Sequence, residues 1–156
     1  MKLDARDRAI LAELQSDARL SHVALAERVP LSASQIGRRL RELEEAGIVS
    51  GYHAEIDDQA IGFPVVALVR ITLEGQQEDY MRAFEEEVTR LPNVLVCFLM
   101  AGDYDYLLRV AARDLDDYER LHREHLSRLP HVARIHSNFA LRKVVNRALP
   151  LGLVTD

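Results

Sequence analysis

The stretch Ser32-Ala33-Ser34-Gln35-Ile36-Gly37-Arg38-Arg39-Leu40-Arg41-Glu42-Leu43-Glu44-Glu45-Ala46-Gly47 carries a start, a buried stripe and a stop for one helix. Ser32 with Gln35 three positions on fits a capping box, in which each side chain satisfies a backbone N–H that the first turn leaves unpaired. Ile36, Leu40 and Leu43 follow at i, i+4 and i+7, which makes one apolar face of an α-helix. Gly47 stands where a left-handed residue would end it, since glycine adopts that conformation without the penalty a Cβ imposes. At roughly 100° per residue the opposite face holds Ser34, Arg38, Arg41 and Glu45, with Gln35 and Glu42 on its flanks. That face is polar and, toward its start, basic. Gly37 is unusual inside such a helix, where it costs about 1 kcal/mol relative to Ala. It either bears that cost or admits a close approach.

Upstream, Asp4 caps a helix whose apolar positions are Ile10, Leu11 and Leu14 and whose pattern is lost at Ser16-Asp17. Ser21 caps a second helix with Val23, Leu25, Ala26 and Val29 inward. Pro30 ends it, because the residue before a proline is pushed out of the helical region. Two helices joined by a tight turn, the second carrying Arg outward, are what reading of the DNA major groove requires, since that groove admits one helix. Arg makes forked contacts with phosphates and guanine edges, and Lys is rare in this chain. Ser34, Gln35 and Arg38 are placed to reach base edges, and Ser32 at the helix start is a further DNA-binding candidate. Arg39 and Arg41 are placed for phosphates, which position a protein without reading sequence. On these residues alone, a small helical bundle with the arginines paired to Glu42, Glu44 and Glu45 stands as the alternative.

Downstream of Gly47, Ile48-Val49-Ser50-Gly51-Tyr52-His53-Ala54-Glu55-Ile56 is β-branched and aromatic and reads as a linking strand. Asp57-Asp58-Gln59 and Gly62 mark a boundary. From Phe63 the chain repeats itself with a period of about 38 residues. Tyr80 matches Tyr118, Val88 matches Leu126, Arg90 matches Arg128, and Leu91-Pro92-Asn93-Val94 matches Leu129-Pro130-His131-Val132. Each copy reads strand, helix, Leu-Pro-x-Val, strand, with strands over Val65 to Leu73, Val94 to Met100, Tyr104 to Ala111 and Val132 to Leu141. The helices cover Glu78 to Arg90 and Leu115 to Arg128. The order βαββαβ is ferredoxin-like, with both helices on one face of a four-stranded sheet. The expected class is therefore α+β: a helix-turn-helix domain, plain or winged-helix-like, over residues 1–60, a ferredoxin-like domain over 61–145, and a tail over 146–156.

The 156 residues are 48% hydrophobic and 29% charged, the composition of a folded chain and not of a disordered one. No stretch approaches the roughly 18 consecutive apolar residues of a membrane helix, and the start, Met1-Lys2-Leu3-Asp4-Ala5-Arg6-Asp7, lacks the apolar core of a secretory signal. The expected compartment is the cytoplasm, with no membrane partner. A net charge of −5 opposes nucleic-acid binding in bulk, because phosphate affinity needs positive charge. Arg38-Arg39-Leu40-Arg41 nevertheless concentrates three cations within one turn. Cys97 is the single cysteine; inside the apolar run Val94 to Met100 it is expected to be a small buried hydrophobe.

Leu3-Asp4 through Ile10-Leu11, Leu14-Gln15-Ser16-Asp17-Ala18-Arg19, Leu25-Ala26, Leu31-Ser32, Arg38-Arg39, Leu43-Glu44-Glu45-Ala46-Gly47-Ile48 and Gly51-Tyr52 resemble the N-terminal signature of the leucine-responsive/AsnC, or feast/famine, family of transcription regulators. Cys97, Gly102-Asp103-Tyr104-Asp105-Tyr106-Leu107-Leu108, Tyr118, Leu129-Pro130 and Ser137 to Leu141 match its C-terminal landmarks, so the resemblance runs in collinear order over about residues 3 to 145. It implies a ferredoxin-like domain of the RAM type and double-stranded DNA as partner. It also implies dimers paired through their sheets, often assembled into tetramers or octamers, and an amino-acid effector held between dimers, with no other cofactor. The effector loop maps onto Met100, Ala101, Gly102, Asp103, Tyr104 and Asp105, with Ser137 as a further contact. The chemistry agrees: an amino-acid zwitterion needs a carboxylate for its ammonium and free N–H groups for its carboxylate, and Gly102 allows close approach. Gly102-Asp103 also suits a two-residue hairpin turn that binds nothing.

Three residues depart from the family pattern. Ala101 stands where many relatives carry Ser or Thr, Pro30 replaces the usual Gly or polar residue of the turn, and Gly37 lies inside the recognition helix. Two features are enzyme-like. His122-Arg123-Glu124-His125 sets two His at i, i+3 but brings no third ligand, and Asp103 with Asp105 offers a carboxylate pair of the kind acid/base catalysis uses. No nucleophile-base set or phosphate loop is present, so the expectation is a regulator and not an enzyme, with no metal. The rival readings are a siroheme-decarboxylase-like enzyme on the same architecture and a DNA-binding assembly protein without an effector.

Overall fold

Asp4 accepts the backbone N–H groups of Arg6 and Asp7, each at 2.8 Å, and the Asp7 carboxylate accepts the Asp4 N–H at 3.0 Å. This reciprocal cap starts helix α1 (Ala5–Ser16). Ser21 caps α2 (His22–Ala26) by accepting the N–H of Ala24, and Ser32 with Gln35 caps α3 (Ala33–Glu45). The three helices pack around Ile10, Leu11, Leu25, Val29, Ile36, Leu40 and Leu43. Gly47 takes φ 69° at the end of α3, and the N–H groups of Ile48 and Val49 turn back onto the Leu43 carbonyl at 2.9 and 3.2 Å.

Three expectations fail here. Val23 is 64% exposed, because α2 is five residues long and turns only Leu25 fully inward. The helix also stops ahead of Pro30, at Ala26, and Val29 reaches the core from the turn that follows. The segment Ile48 to Ile56 forms no strand: its alternation suits a half-buried surface, but a strand exists only where a second backbone pairs with it, and none does among the described residues. Tyr52 is instead 48% exposed and donates its hydroxyl to Glu44 at 2.7 Å.

The computed structural model describes residues 2–151; the last residues of the expected tail, 152–156, lie outside them, as does Met1. The chain divides at Glu55/Ile56, ahead of the expected boundary at 60, and again at Val144/Val145. From Val145 it belongs with the helical unit, where Leu151 packs against the helical core and the Asn146 amide donates to Glu55 at 2.5 Å.

The second unit has the expected order, β1 (Val65–Leu73), α4 (Glu78–Val88), β2 (Val94–Leu99), β3 (Tyr106–Ala112), α5 (Leu115–Glu124) and β4 (Val132–Phe139), with one 3₁₀ turn at Leu126–Arg128. The sheet order is β2-β3-β1-β4 with antiparallel pairs throughout, as the ferredoxin-like arrangement requires. Alternate residues of the central strands, Ala67, Val69 and Ile71 on β1 and Tyr106, Leu108 and Val110 on β3, pack with Phe84 and Val88 of α4 and Tyr118 and Leu121 of α5. Both helices therefore cover one face. Cys97 corrects the reading from its apolar run: β2 is an edge strand, and the residue is exposed. Partial desolvation still pushes its thiol up to about 11, with a smaller contribution from Glu85.

Candidate nucleic-acid interface and effector loop

The outward face of α3 is held by its own cap. Gln35 Oε1 accepts the Ser32 N–H at 2.9 Å and the Ser32 hydroxyl at 3.1 Å, and the Ser34 and Ser32 hydroxyls lie 3.1 Å apart. The oxygen of Gln35 is occupied by capping, while its amide N–H groups remain for a ligand. Arg38 is exposed and pairs with Glu42 at 2.5 Å across an i, i+4 step. A surface pair of this kind contributes at most about 1 kcal/mol, so it can open when a better acceptor arrives. Arg41 is exposed and forms no ion pair among the described residues.

Arg39 departs from its expected phosphate role. Its side chain is 15% exposed and reaches Asp7 at 2.6 Å and Asp4 at 2.9 Å, joining α3 to the start of α1. Asp7 is itself buried. The pair with Asp7 raises the Arg39 pKa, and Asp4 is held below the usual carboxylate range first by the Asp7 N–H it accepts and then by Arg39. Gly37 also receives a physical account. A Cβ there would stand 3.0 Å from His22 Nδ1 and 3.1 Å from its Cε1, so the close approach is to α2 within the chain.

In the sheet unit the loop between β2 and β3 is closed by the Met100 N–H on the Asp105 carbonyl at 2.8 Å. Four residues, Ala101 to Tyr104, therefore make the turn, and not two. Gly102 takes φ 151° with open space where a Cβ would lie, and Asp103 is exposed. Tyr104 lies under the Arg70 guanidinium, 5.6 Å from ring to Cζ.

Asp105 is not free for a ligand. It is 8% exposed, its Oδ2 accepts the Leu73 N–H at 2.7 Å, and its Oδ1 accepts the Gln76 side-chain amide at 2.7 Å. Its own N–H donates to the Ile71 carbonyl at 2.9 Å. One residue thus ties the loop to the end of β1 and to the turn before α4. Gln76 carried no signal in the sequence, since its partner lies 29 residues away. Ser137 is not brought to the loop: it sits on β4 opposite Val69, with β1 between it and β3, and accepts the Tyr118 hydroxyl proton. No cluster of three or more metal-ligating side chains occurs among the described residues, and none of their helices is long and apolar enough to cross a membrane.

A capped three-helix unit with an arginine-bearing outward helix, followed by a ferredoxin-like unit, is the architecture of a two-domain DNA-binding transcription regulator. Residues 3–50 match the family model of a winged helix-turn-helix DNA-binding domain, and residues 66–150 match that of the Lrp/AsnC ligand binding domain. The chain belongs to the Lrp/AsnC family. It is 41% identical over 149 residues to the Bkd operon transcriptional regulator of Pseudomonas aeruginosa, covering 96% of this chain and 97% of that protein. With the leucine-responsive regulatory protein of Rhizobium meliloti it shares 35% identity, covering 92% of each chain. Among solved structures, a transcriptional regulator of Neisseria meningitidis in complex with L-methionine superposes with a TM-score of 0.91 at 34% identity, covering 96% of this chain and 97% of that one. These relatives are named as transcription regulators, and the protein is a regulator and not an enzyme.

Proposed function

We propose that this regulator recognises specific DNA half-sites with Ser34, Gln35 and Arg38, holds phosphates with Arg41 and Ser32, and changes its assembly or DNA affinity when an amino acid binds at the loop Met100 to Asp105. The observation that carries the DNA half is the outward face of α3, where both Arg38 and Arg41 are exposed while Arg39 is withdrawn into the fold. Paired copies would place two such helices on half-sites about one helical turn apart, or a multiple of it. Pairing through the sheet face away from the helices suits the exposed Leu68 and Phe98 found there. In the effector half, Asp103 supplies the carboxylate for an ammonium group, Gly102 the close approach, and Asp105 the scaffold. Met100, Ala101 and Tyr104 complete the loop. A ligand that touched both this loop and Ser137 would draw them from two copies, since one chain separates them by a strand.

The test pairs gel shifts on the regulator's own promoter DNA, over a range of salt, with calorimetry using L-methionine and then the other amino acids. L-methionine comes first because the Neisseria relative was crystallised with it. Arg38→Ala should weaken specific binding by about 1 to 3 kcal/mol. A parent protein that shifts no DNA at low salt would end the DNA half, and one that binds no amino acid would end the sensor half.

A further inference from the structure

Gly37 leaves a notch on α3 that a side chain from α2 fills. A Cβ there would stand 3.0 Å from Nδ1 and 3.1 Å from Cε1 of His22, closer than side chains ordinarily pack, so the imidazole lies directly against the bare backbone of α3. Its Nδ1–Cε1 edge is toward Gly37, and Nε2 is set back from the contact. At roughly 100° per residue, Gly37 sits on the flank between buried Ile36 and outward Arg38, and Arg41 follows on that flank one turn on. The ring has no partner inside the fold: His22 is exposed, and its side chain makes no hydrogen bond or ion pair among the described residues. On α3 the charged groups nearest this flank are Arg38 and Arg41, with Glu42 turned to Arg38 and Glu44 accepting the Tyr52 hydroxyl. On the side of α2, Asp17 accepts the Arg19 N–H, Arg28 pairs with Glu13, and Glu27 stands five residues further along the chain.

We propose that His22 is a proton-dependent DNA contact, whose imidazole takes a backbone phosphate beside the recognition helix and holds it more tightly when protonated. In a helix-turn-helix the second helix enters the major groove while the first crosses the sugar–phosphate backbone. A donor at the start of α2 that leans on the exposed flank of α3 therefore lies at the rim of the groove, where the phosphates run. Imidazole changes its charge between about pH 5 and pH 8, whereas arginine stays charged throughout. Among the DNA contacts named here, His22 is thus the one that titrates. A phosphate favours the charged ring, so DNA binding takes up a proton and affinity rises as pH falls. Gly37 acquires a role by the same argument: any Cβ there would displace the ring, and the helix carries glycine at a cost of about 1 kcal/mol. This inference rests on the DNA half of the proposed function and does not depend on the effector.

Fluorescence anisotropy of the full chain with its own promoter DNA, at about pH 6.3 and about pH 8 and over a range of salt, tests this. The parent should bind at least about threefold more tightly at the lower pH, the size of an exposed ion pair, with a salt slope steeper by up to about one. His22→Gln should lose both differences while matching the parent near pH 8, and His22→Lys should bind near pH 8 as the parent does at the lower pH. Circular dichroism at both pH values checks that the variants are folded; were Gln to unfold, the loss of pH dependence in Lys alone would decide. A parent whose affinity does not change with pH, or a folded His22→Gln that keeps the full change, overturns the proposal and leaves the DNA reading in place. A parent that binds no DNA at either pH ends that reading and this proposal together.

Discussion

Replacing Asp105 separates two roles a buried carboxylate can have, ligand contact and scaffold. In Asp105→Ala the Leu73 N–H loses its acceptor inside the fold, and the Gln76 amide loses a partner that is only part-buried. A hydrogen bond to a charged group contributes about 1.5 to 3 kcal/mol and an abandoned buried donor costs a comparable amount. With the Gln76 half discounted for solvent, the expected loss is about 2 to 4 kcal/mol. For a unit of this size that lowers its melting temperature by on the order of 10–20 °C. Asp105→Asn should cost only about 0.5 to 1.5 kcal/mol, because its Oδ1 can still accept from Leu73 while Gln76 reverses its amide to accept from the new N–H₂. Thermal and urea unfolding by circular dichroism give the stabilities, and hydrogen exchange at the Leu73 amide reports the bond itself. If Asn were as damaging as Ala, or if Ala left Leu73 protected, the carboxylate would not be holding the loop and the scaffold reading would be wrong.

Arg39→Ala should destabilise the helical unit by about 2 to 4 kcal/mol by stranding buried Asp7, somewhat below the range for a wholly buried pair, whereas Arg41→Ala should leave the melt unchanged and reduce the salt slope of DNA binding by about one; thermal melts and salt-dependent gel shifts separate the two. Gly37→Ala gains up to about 1 kcal/mol of helix propensity but presses on the His22 ring, so it should not stabilise the parent and should stabilise a His22→Ala background; equal effects in both would show that His22 is not the obstacle. Because the Cys97 thiol is pushed up to about 11, its alkylation by iodoacetamide should be slow at neutral pH and rise about tenfold per pH unit toward that value, and a plateau near pH 8.5 would contradict the desolvation.

What the sequence made legible was local. Asp4, Ser21 and the pair Ser32/Gln35 act within three residues of themselves, so their caps could be read before any tertiary structure was known, and the repeat from Phe63 revealed the sheet unit because both copies repeat the same local pattern. The misread residues have distant partners. Arg39 meets Asp7, and Asp105 meets Leu73, across 32 residues in each case, and no spacing rule links such positions. Ile48 to Ile56 has the alternation of a strand but no ladder, and Cys97 has apolar neighbours but an edge position. Both turn on what lies beside a segment, which its own residues do not encode.

The chain leaves the helical unit after Glu55 and rejoins it at Val145, with Leu151 against the helical core. During synthesis the recognition helix therefore emerges early but gains its last packing partner only after the whole ferredoxin-like unit has left the ribosome. Since domains fold as they appear, N-terminal ones first, the DNA-reading unit waits in an incomplete state while the unit inserted into it matures. A nascent copy thus completes its helical unit only once its ferredoxin-like unit exists.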